Sequence, residues 1–544
     1  MTNPLEYFLH WERTAPADIV FRQAKGPGWI TWTFQEAGEE IRRIAGFLEA
    51  LQLPLHSKVA ILSKNCPHWV MADLAVMMAG HVSVPLYPTL PGETIHEILV
   101  HSEAKAIFIG KLDHYASQQP GIPDIVRIGV EAYGVPEETS WENITATHTP
   151  IAHPAAIQPD DLMTIVYTSG TTGKPKGVMH VFQSFHITLS AARKAIPFPE
   201  RPRLFSYLPM SHIAERMGIE TMGLMLGAQF SFAENLETFA KNLADTQPDY
   251  FFAVPRIWSK FQEKILEKIP EPRFSRLIGF PLVGALLKSV LKKKLGLSKS
   301  KLFFSGAAPL GLGQLEWWKK LDITIFEVYG MTEDCVYSHF NSPAAFRFGT
   351  VGQPLPGLKR KIADHDEICV KSDCLMKGYY KEPEMTAAMF DEEGYLKTGD
   401  TGSIDREGYL TIVGRVKDQF KTDKGKYISP APIEMKLMEN KDIAQVCVVG
   451  MGIPQPIVLT VLTEAARAKS KDEITASLTA TLDAINVHLE SYEKLETAVI
   501  MQKEWTQENG LLTPTLKLKR NALEKIYVPR YPGWYHEKGK VVWE

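Results

Sequence analysis

The spacing of apolar residues changes period several times in the first hundred positions. After Thr33-Phe34-Gln35-Glu36, a threonine with glutamate three places on, apolar residues recur at helical spacing up to Leu51. That pattern predicts a capped amphipathic helix. Lys58-Val59-Ala60-Ile61-Leu62 is a continuous apolar run and predicts a buried strand. Asn65-Cys66-Pro67-His68 opens a helix through Met78, and Val82-Ser83-Val84-Pro85-Leu86 and Ala106-Ile107-Phe108-Ile109 are the next strands. Helices alternating with short apolar strands predict βαβ units, largely parallel sheets and an α/β fold. Residues 118–159 are rich in Pro, Glu and Thr and read as loops. No internal repeat and no low-complexity tract is visible.

Met163-Thr164-Ile165-Val166 predicts a short buried strand, and the chain then turns abruptly polar in Tyr167-Thr168-Ser169-Gly170-Thr171-Thr172-Gly173-Lys174-Pro175-Lys176-Gly177-Val178. Glycines allow tight turns and close approach of backbone N–H groups to a ligand. Hydroxyls and turned amides donate to phosphate oxygens, and lysines supply point charges. The stretch reads as a loop holding nucleotide phosphates. It is not a Walker loop, because Pro175 follows Lys174 where that pattern needs Ser or Thr and a helix. The string resembles the phosphate loop of the adenylate-forming, AMP-binding superfamily, which includes acyl-CoA synthetases, luciferases and peptide-synthetase adenylation domains.

Composition narrows the class further. The chain has 544 residues, 45% hydrophobic and 23% charged, an ordinary globular profile with length for three or four structural units. Its net charge of −3 gives no electrostatic case for nucleic acid. Met1-Thr2-Asn3-Pro4-Leu5-Glu6 lacks the basic and apolar regions of a secretory signal. Five scattered cysteines without metal spacing predict reduced, packed thiols in a cytoplasmic protein.

The segment Phe205-Ser206-Tyr207-Leu208-Pro209-Met210-Ser211-His212-Ile213-Ala214-Glu215-Arg216 predicts a strand end, a proline turn and a histidine at a helix entrance. It resembles the acyl-pocket border of long-chain fatty acyl-CoA synthetases, as does Ala253-Val254-Pro255-Arg256-Ile257-Trp258. That resemblance makes His212 a pocket residue. The next helix carries Gly218, Gly223 and Gly227. Helix glycines cost stability. They fit an alkyl chain lying against the helix, with close helix packing as the plain alternative. Phe274 to Leu297 is apolar and ends in Lys292-Lys293-Lys294. It reads as a surface helix with a solvated lysine end, or as a basic amphipathic segment peripheral to a membrane.

Phe303-Phe304-Ser305-Gly306-Ala307-Ala308-Pro309 and Thr324-Ile325-Phe326-Glu327-Val328-Tyr329-Gly330-Met331-Thr332-Glu333 each run from an apolar strand into a small or polar turn. Sites in open α/β sheets form at such strand ends. Gly306, Ala307 and Ala308 on one side and Tyr329 on the other can sandwich an adenine ring. Thr332 can bond the α-phosphate, and Glu333 is a hard oxygen ligand for Mg²⁺. These segments resemble the family's adenine and metal segments, which also brings Glu327 and Gly330 into the nucleotide site, with Thr172 as a second metal residue. Gly394-Tyr395-Leu396-Lys397-Thr398-Gly399-Asp400 resembles the ribose segment, with Asp400 accepting the ribose hydroxyls. Gly414-Arg415-Val416-Lys417-Asp418 resembles the domain boundary. Arg415 would contact ribose or phosphate, and Lys417 would be the hinge. The loop from Lys421 to Pro430, with Lys424, Gly425 and Lys426, resembles the one that lines the thiol tunnel.

Near the end, Thr513-Pro514-Thr515-Leu516-Lys517-Leu518-Lys519-Arg520 stands where the family has Ser/Thr-Gly-Lys, a lysine reaching the α-phosphate. Register favours Lys517, with Lys519 as the alternative. Ala363-Asp364-His365-Asp366 before Glu367 is a tighter turn than the family's usual Gly-Glu-Ile approach.

The resemblance covers essentially the whole chain. It implies an α/β fold with a large N-terminal domain of α/β subdomains (1–416) and a smaller, mobile C-terminal α+β domain (417–544). It implies ATP, Mg²⁺ and coenzyme A as cofactors, and nucleotide contacts from Thr168, Ser169, Gly170, Thr171, Thr172 and Lys176. It implies an acyl-CoA synthetase that activates a medium- or long-chain fatty acid as acyl-AMP. Alternatives are an adenylating enzyme using an aromatic acid, one delivering to a carrier protein, a luciferase-type oxygenase, and an inactive nucleotide-binding homologue. No carrier domain is recognisable, and the retained Lys517, Glu333 and Asp400 argue for activity.

Overall fold

A computed structural model of the chain describes residues 2–169, 175–513 and 517–544. Its centre is an eight-stranded sheet. Lys58–Leu62 pairs in parallel with Val82–Leu86 on one side and Ala106–Ile109 on the other. Leu162–Ser169 joins Val82–Leu86 in parallel and turns back into Pro175–Val181 antiparallel. Apart from the half-buried Lys58, the strands Lys58–Leu62 and Ala106–Ile109 are buried, as a parallel sheet covered on both faces requires. Phe34–Ala50 is one of those helices. Its Thr33 cap and Glu36 form the reciprocal capping box the sequence predicts.

Residues 118–159 correct an expectation. They contain the strands Val126–Gly129 and Thr139–Ser140, which extend the central sheet, and the helix Trp141–Thr147, capped by Ser140. Strands this short carry too few positions to show a period.

A second sheet has Tyr250–Phe252, Leu302–Ser305 and Ile325–Tyr329 in parallel, followed by two short antiparallel strands. A third is formed by Lys359–Ile362, Glu367–Lys371, Leu396–Ile404 and Leu410–Arg415, all antiparallel. The shortened turn before Glu367 is a tight hairpin with His365 and Asp366 in the left-handed region, at φ 59° and 57°. The smaller C-terminal domain follows. It has a four-stranded sheet of Ile443–Val449, Ile457–Leu462, Ala498–Ile500 and Val541–Trp543, with its own cores on either face. Lys471–Asn486 packs on one face, capped by a Ser470/Glu473 box. All five cysteines are free and buried.

Candidate active site

The phosphate-loop residues Gly170, Thr171, Thr172 and Lys174 lie outside the described residues. What flanks them is a β-hairpin: Thr168 faces Lys176 and Ser169 faces Pro175 across the ladder. Pro175 thus begins a strand, as its missing N–H and fixed φ allow at a strand's first residue. The Lys176 ammonium sits 5.4 Å from the Tyr379 ring. The Tyr379 hydroxyl donates to Glu333 Oε1 at 2.8 Å. Burial raises the Glu333 carboxyl above its ordinary range, against that hydrogen bond and the positive charges of Lys176 and Arg415.

The segments expected to hold adenine and metal come together as strand ends. Gly306, Ala307 and Ala308 follow Leu302–Ser305, and Glu327 and Tyr329 end the neighbouring strand. Ala307 is held at φ +68°, a strained conformation for a residue with a side chain. A Cβ at Gly330 would stand 2.7 Å from Val336 Cα, so this turn excludes any other residue. Leu310 N–H donates to Glu327 Oε1 at 3.1 Å. Burial pushes the Glu327 carboxyl up to about 7. The buried Thr332 is fixed through its carbonyl, which accepts from His180 Nε2–H at 2.7 Å. Burial takes His180 down to about 4, so the ring is neutral.

The segment expected to hold ribose supplies a paired carboxylate. Asp400 stands opposite Arg415 in the ladder, and Arg415 Nε donates to Asp400 Oδ1 at 3.0 Å. The Tyr329 hydroxyl donates to Asp400 Oδ2 at 2.8 Å. Lys417 lies just beyond, in the 3₁₀ turn Val416–Asp418 that leads into the C-terminal domain.

Lys517 reaches this centre from the C-terminal domain. Thr513 N–H donates to the Lys517 carbonyl, and the Thr513 hydroxyl accepts from Lys517 N–H, which pins the backbone around Lys517. Burial and then the Arg415 charge lower its ammonium to about 8, with Asp400 and Glu333 opposing. Lys517 also faces His212, which burial and then the Lys517 charge hold near 3. Lys519 is exposed at the cap of the next helix. The structure therefore brings His212, Glu333, Asp400, Arg415 and Lys517 together and leaves Lys519 outside. Lys176, Arg415 and Lys517 set three cations against two carboxylates, a balance suited to a polyphosphate.

His212 caps a short helical turn, its Nδ1 accepting from Ala214 N–H at 3.2 Å. The chain then winds as a π-helix, Arg216–Thr221, and only afterwards as the α-helix Met222–Leu226. Gly218 faces open space, and its carbonyl accepts from the Tyr250 hydroxyl at 2.6 Å. Gly223 requires a correction: it does not line an acyl pocket. A Cβ there would lie 2.5 Å from Phe230 Cζ and 2.8 Å from Leu204 Cδ1, so the helix is pressed onto sheet side chains at that point. Gly227, at φ +70°, ends the helix against Trp11. In this conformation Lys424, Gly425 and Lys426 stand away from Lys517 and the strand ends. They form the exposed tip between Phe420–Lys421 and Tyr427–Ile428.

Sequence reasoning passed over several supporting residues. Tyr379 and His180 act only through tertiary contacts and carry no local signal. Arg216, fully buried, pairs with Asp73 at 2.6 Å and Glu220 at 3.1 Å and donates to Thr164 Oγ1 at 2.7 Å. It thereby ties the π-helix to the strand that enters the phosphate loop. Buried Glu215 accepts from Ser206 Oγ at 2.7 Å and Tyr207 N–H at 3.1 Å, and burial raises it to about 8.

The chain belongs to the AMP-binding enzyme family, whose pattern matches residues 8–380, and the AMP-binding enzyme C-terminal domain matches residues 417–538. It is 27% identical to the long-chain-fatty-acid–CoA ligase FadD15 of Mycobacterium bovis, over 97% of this chain and 96% of that one. It is 28% identical to long chain acyl-CoA synthetase 6, peroxisomal, of Arabidopsis thaliana, over 94% and 82%. Among solved structures, the adenylation domain of a carboxylate reductase from Mycobacterium chelonae superposes with a TM-score of 0.81 at 21% identity, covering 98% of this chain and 91% of that one. The anthranilate CoA ligase AuaEII in complex with anthranoyl-AMP gives 0.76 at 18% identity, covering 96% and 97%. The protein is thus an adenylate-forming enzyme by family, similar in sequence to long-chain acyl-CoA synthetases.

Proposed function

We propose that the protein is an AMP-forming acyl-CoA synthetase for medium- or long-chain fatty acids. The observation that carries this reading is Lys517 of the C-terminal domain set among Asp400, Glu333, Arg415 and His212. In the first half-reaction a carboxylate oxygen attacks the α-phosphorus of ATP, giving acyl-AMP and pyrophosphate. Lys517, Lys176 and Arg415 offset the charge on the phosphates, and Asp400 holds the ribose hydroxyls. Tyr329 and the 306–308 turn hold the adenine. Such chemistry depends chiefly on positioning and electrostatics. In the second half-reaction the thiol of coenzyme A attacks the acyl carbon and AMP leaves.

The residues present fit Mg²⁺. Glu333 is a half-buried carboxylate within electrostatic reach of Lys176, and Mg²⁺ characteristically takes one or two carboxylates with substrate phosphates and water. Thr172, in the loop, is the second residue we assign to it. When bound, Mg²⁺ supplies charge compensation to the triphosphate.

We place the domain boundary at Val416/Lys417 and the pivot at Lys417. Rotation there exchanges Lys517 for the Lys424–Lys426 tip at the thiol tunnel, so one centre serves two half-reactions. His212 and Gly218 border the acyl site in this reading. The names of the sequence relatives, both long-chain acyl ligases, support a fatty acid. The test is incubation with ATP, coenzyme A and an acid panel, following AMP and thioester by mass spectrometry. Fatty acyl-CoA and AMP in equal amounts are expected. Turnover of aromatic acids alone, or AMP without thioester, would replace the proposal.

A further inference from the structure

Between the parallel strands Tyr250–Phe252 and Leu302–Ser305 the chain makes a long excursion that includes two helices, Glu271–Gly279 and Pro281–Lys294, bent 120° from one another. Pro281 forces the break. The helices touch closely, since a Cβ on Gly284 would stand 2.5 Å from the Ile278 carbonyl oxygen. The unit is fixed to the body by Phe274 stacked on Trp317 at 4.9 Å, by the Lys288–Asp322 pair at 2.8 Å and by Lys320–Glu271 at 3.6 Å. It is a rigid wedge whose outer side is apolar. Phe280 is 56% exposed, Leu282 87%, Val283 48%, Leu286 68% and Val290 42%. Phe280, Leu282 and Val283 form the apex. Leu282, Leu286 and Val290 follow at four-residue spacing and make one stripe down the helix.

That stripe runs into exposed Lys293 and Lys294, about 16 Å from Leu282 at 1.5 Å per residue. Exposed Arg273 and Arg276 lie on the companion helix. Residues 272–301 hold eight Lys and Arg and no Asp or Glu, within a chain of net charge −3. An apolar apex with a basic base matches the two layers of an anionic lipid surface, acyl chains within and phosphates without. An apolar docked protein would cover the stripe but leave the exposed Arg273, Arg276, Lys293 and Lys294 beside it unexplained. No single described helix is long and apolar enough to cross a membrane, and the 14-residue arm, about 21 Å, is shorter than a ~30 Å hydrocarbon core.

We propose that this wedge is a docking element for an anionic membrane surface, inserting Phe280, Leu282, Val283 and Leu286 into one leaflet while Lys293, Lys294, Arg273 and Arg276 meet lipid phosphates. The inference stands apart from the reaction proposed above. It is tested by flotation of the full chain with vesicles free of fatty acid, made of phosphatidylcholine alone or of equal phosphatidylcholine and phosphatidylglycerol. The protein is expected to float with the anionic vesicles, to remain free with the neutral ones, and to be released at 1 M salt. L282D/L286D should weaken flotation at least tenfold, and K293E/K294E should do likewise through charge alone. Both variants change exposed side chains and should keep the wild-type melting temperature and the turnover of a short soluble fatty acid. Equal flotation of wild type and both variants, or no flotation with anionic vesicles, overturns the proposal. A wild-type dimer that L282D/L286D converts to monomer, with vesicle binding unchanged, would instead assign the face to a second copy.

Discussion

Arg415 and Asp400 are direct partners in an antiparallel ladder and are bonded Nε to Oδ1 at 3.0 Å, and Lys517 of the C-terminal domain lies against that pair. The ladder fixes the pair without reference to ligand, so the Asp400 carboxylate that we propose binds ribose is oriented in advance. Lys517 adds a positive charge to one already there. That is unfavourable alone and favourable once phosphates arrive.

This arrangement separates the two candidate lysines. Lys517→Ala should lower acyl-adenylate formation by about a hundredfold or more, in line with removal of one preorganised charge partner. Turnover of supplied acyl-adenylate with coenzyme A should be nearly unchanged. Lys519→Ala, at an exposed helix cap, should behave as wild type. Single-turnover assays with each half-reaction isolated decide it, and the reverse pattern would transfer the role to Lys519.

The lowered ammonium predicts a pH dependence. In the proposed reaction Lys517 acts protonated, and burial lowers its ammonium to about 8. The kcat/KM for adenylation should therefore fall as pH rises through 8. His212, near 3, is neutral across the working range and should add no limb between pH 6 and 7. Lys517→Arg keeps its proton and should move the limb upward. A limb fixed at 8 in that variant would belong to another group.

The proposed pivot at Lys417 makes a conformational prediction. Lys417→Pro fixes φ in the turn between the domains. Adenylation should survive, because the structure already has Lys517 at the site, while thioester formation should drop at least tenfold. Stopped-flow measurement of each half-reaction checks this. Equal loss of both in a folded protein would place the pivot elsewhere.

Two glycines that look alike in sequence should respond oppositely. Gly218 faces open space, so Gly218→Leu should fold normally and shorten the longest fatty acid accepted. Each buried methylene is worth about 0.8 kcal/mol, roughly fourfold in affinity, so the cutoff is sharp enough to read from a chain-length series. Gly223→Ala should instead lower stability by about 1–3 kcal/mol through contact with Phe230 and Leu204, leaving the cutoff in place. Denaturation midpoints and the same acid series separate the two.

These contrasts mark where sequence suffices. The strands Lys58–Leu62 and Val82–Leu86 and the Thr33/Glu36 capping box follow from local pattern, and the structure repeats them residue for residue. Lys517 was accessible through register with a short motif. Gly223 was not, because a helix glycine reads the same whether an alkyl chain or a phenylalanine ring lies against it. Tyr379 on Glu333 and His180 on the Thr332 carbonyl were invisible too, being contacts made across 46 and 152 residues of chain. The apolar segment 274–297 read as a surface helix or as a basic amphipathic segment peripheral to a membrane. Only the bend at Pro281 and the exposure of Leu282 and Leu286 reveal a wedge.

The central claim is that a fatty carboxylate is joined to AMP before it meets a thiol. Fatty acid labelled with ¹⁸O in both carboxyl oxygens, incubated with the protein, ATP, Mg²⁺ and coenzyme A, tests it directly by mass spectrometry of the nucleotide product. Attack of the carboxylate on the α-phosphorus, followed by thiolysis at the acyl carbon, leaves one labelled oxygen in every AMP formed and one in the acyl-CoA. Unlabelled AMP, or label in inorganic phosphate with ADP as the nucleotide product, would contradict the account.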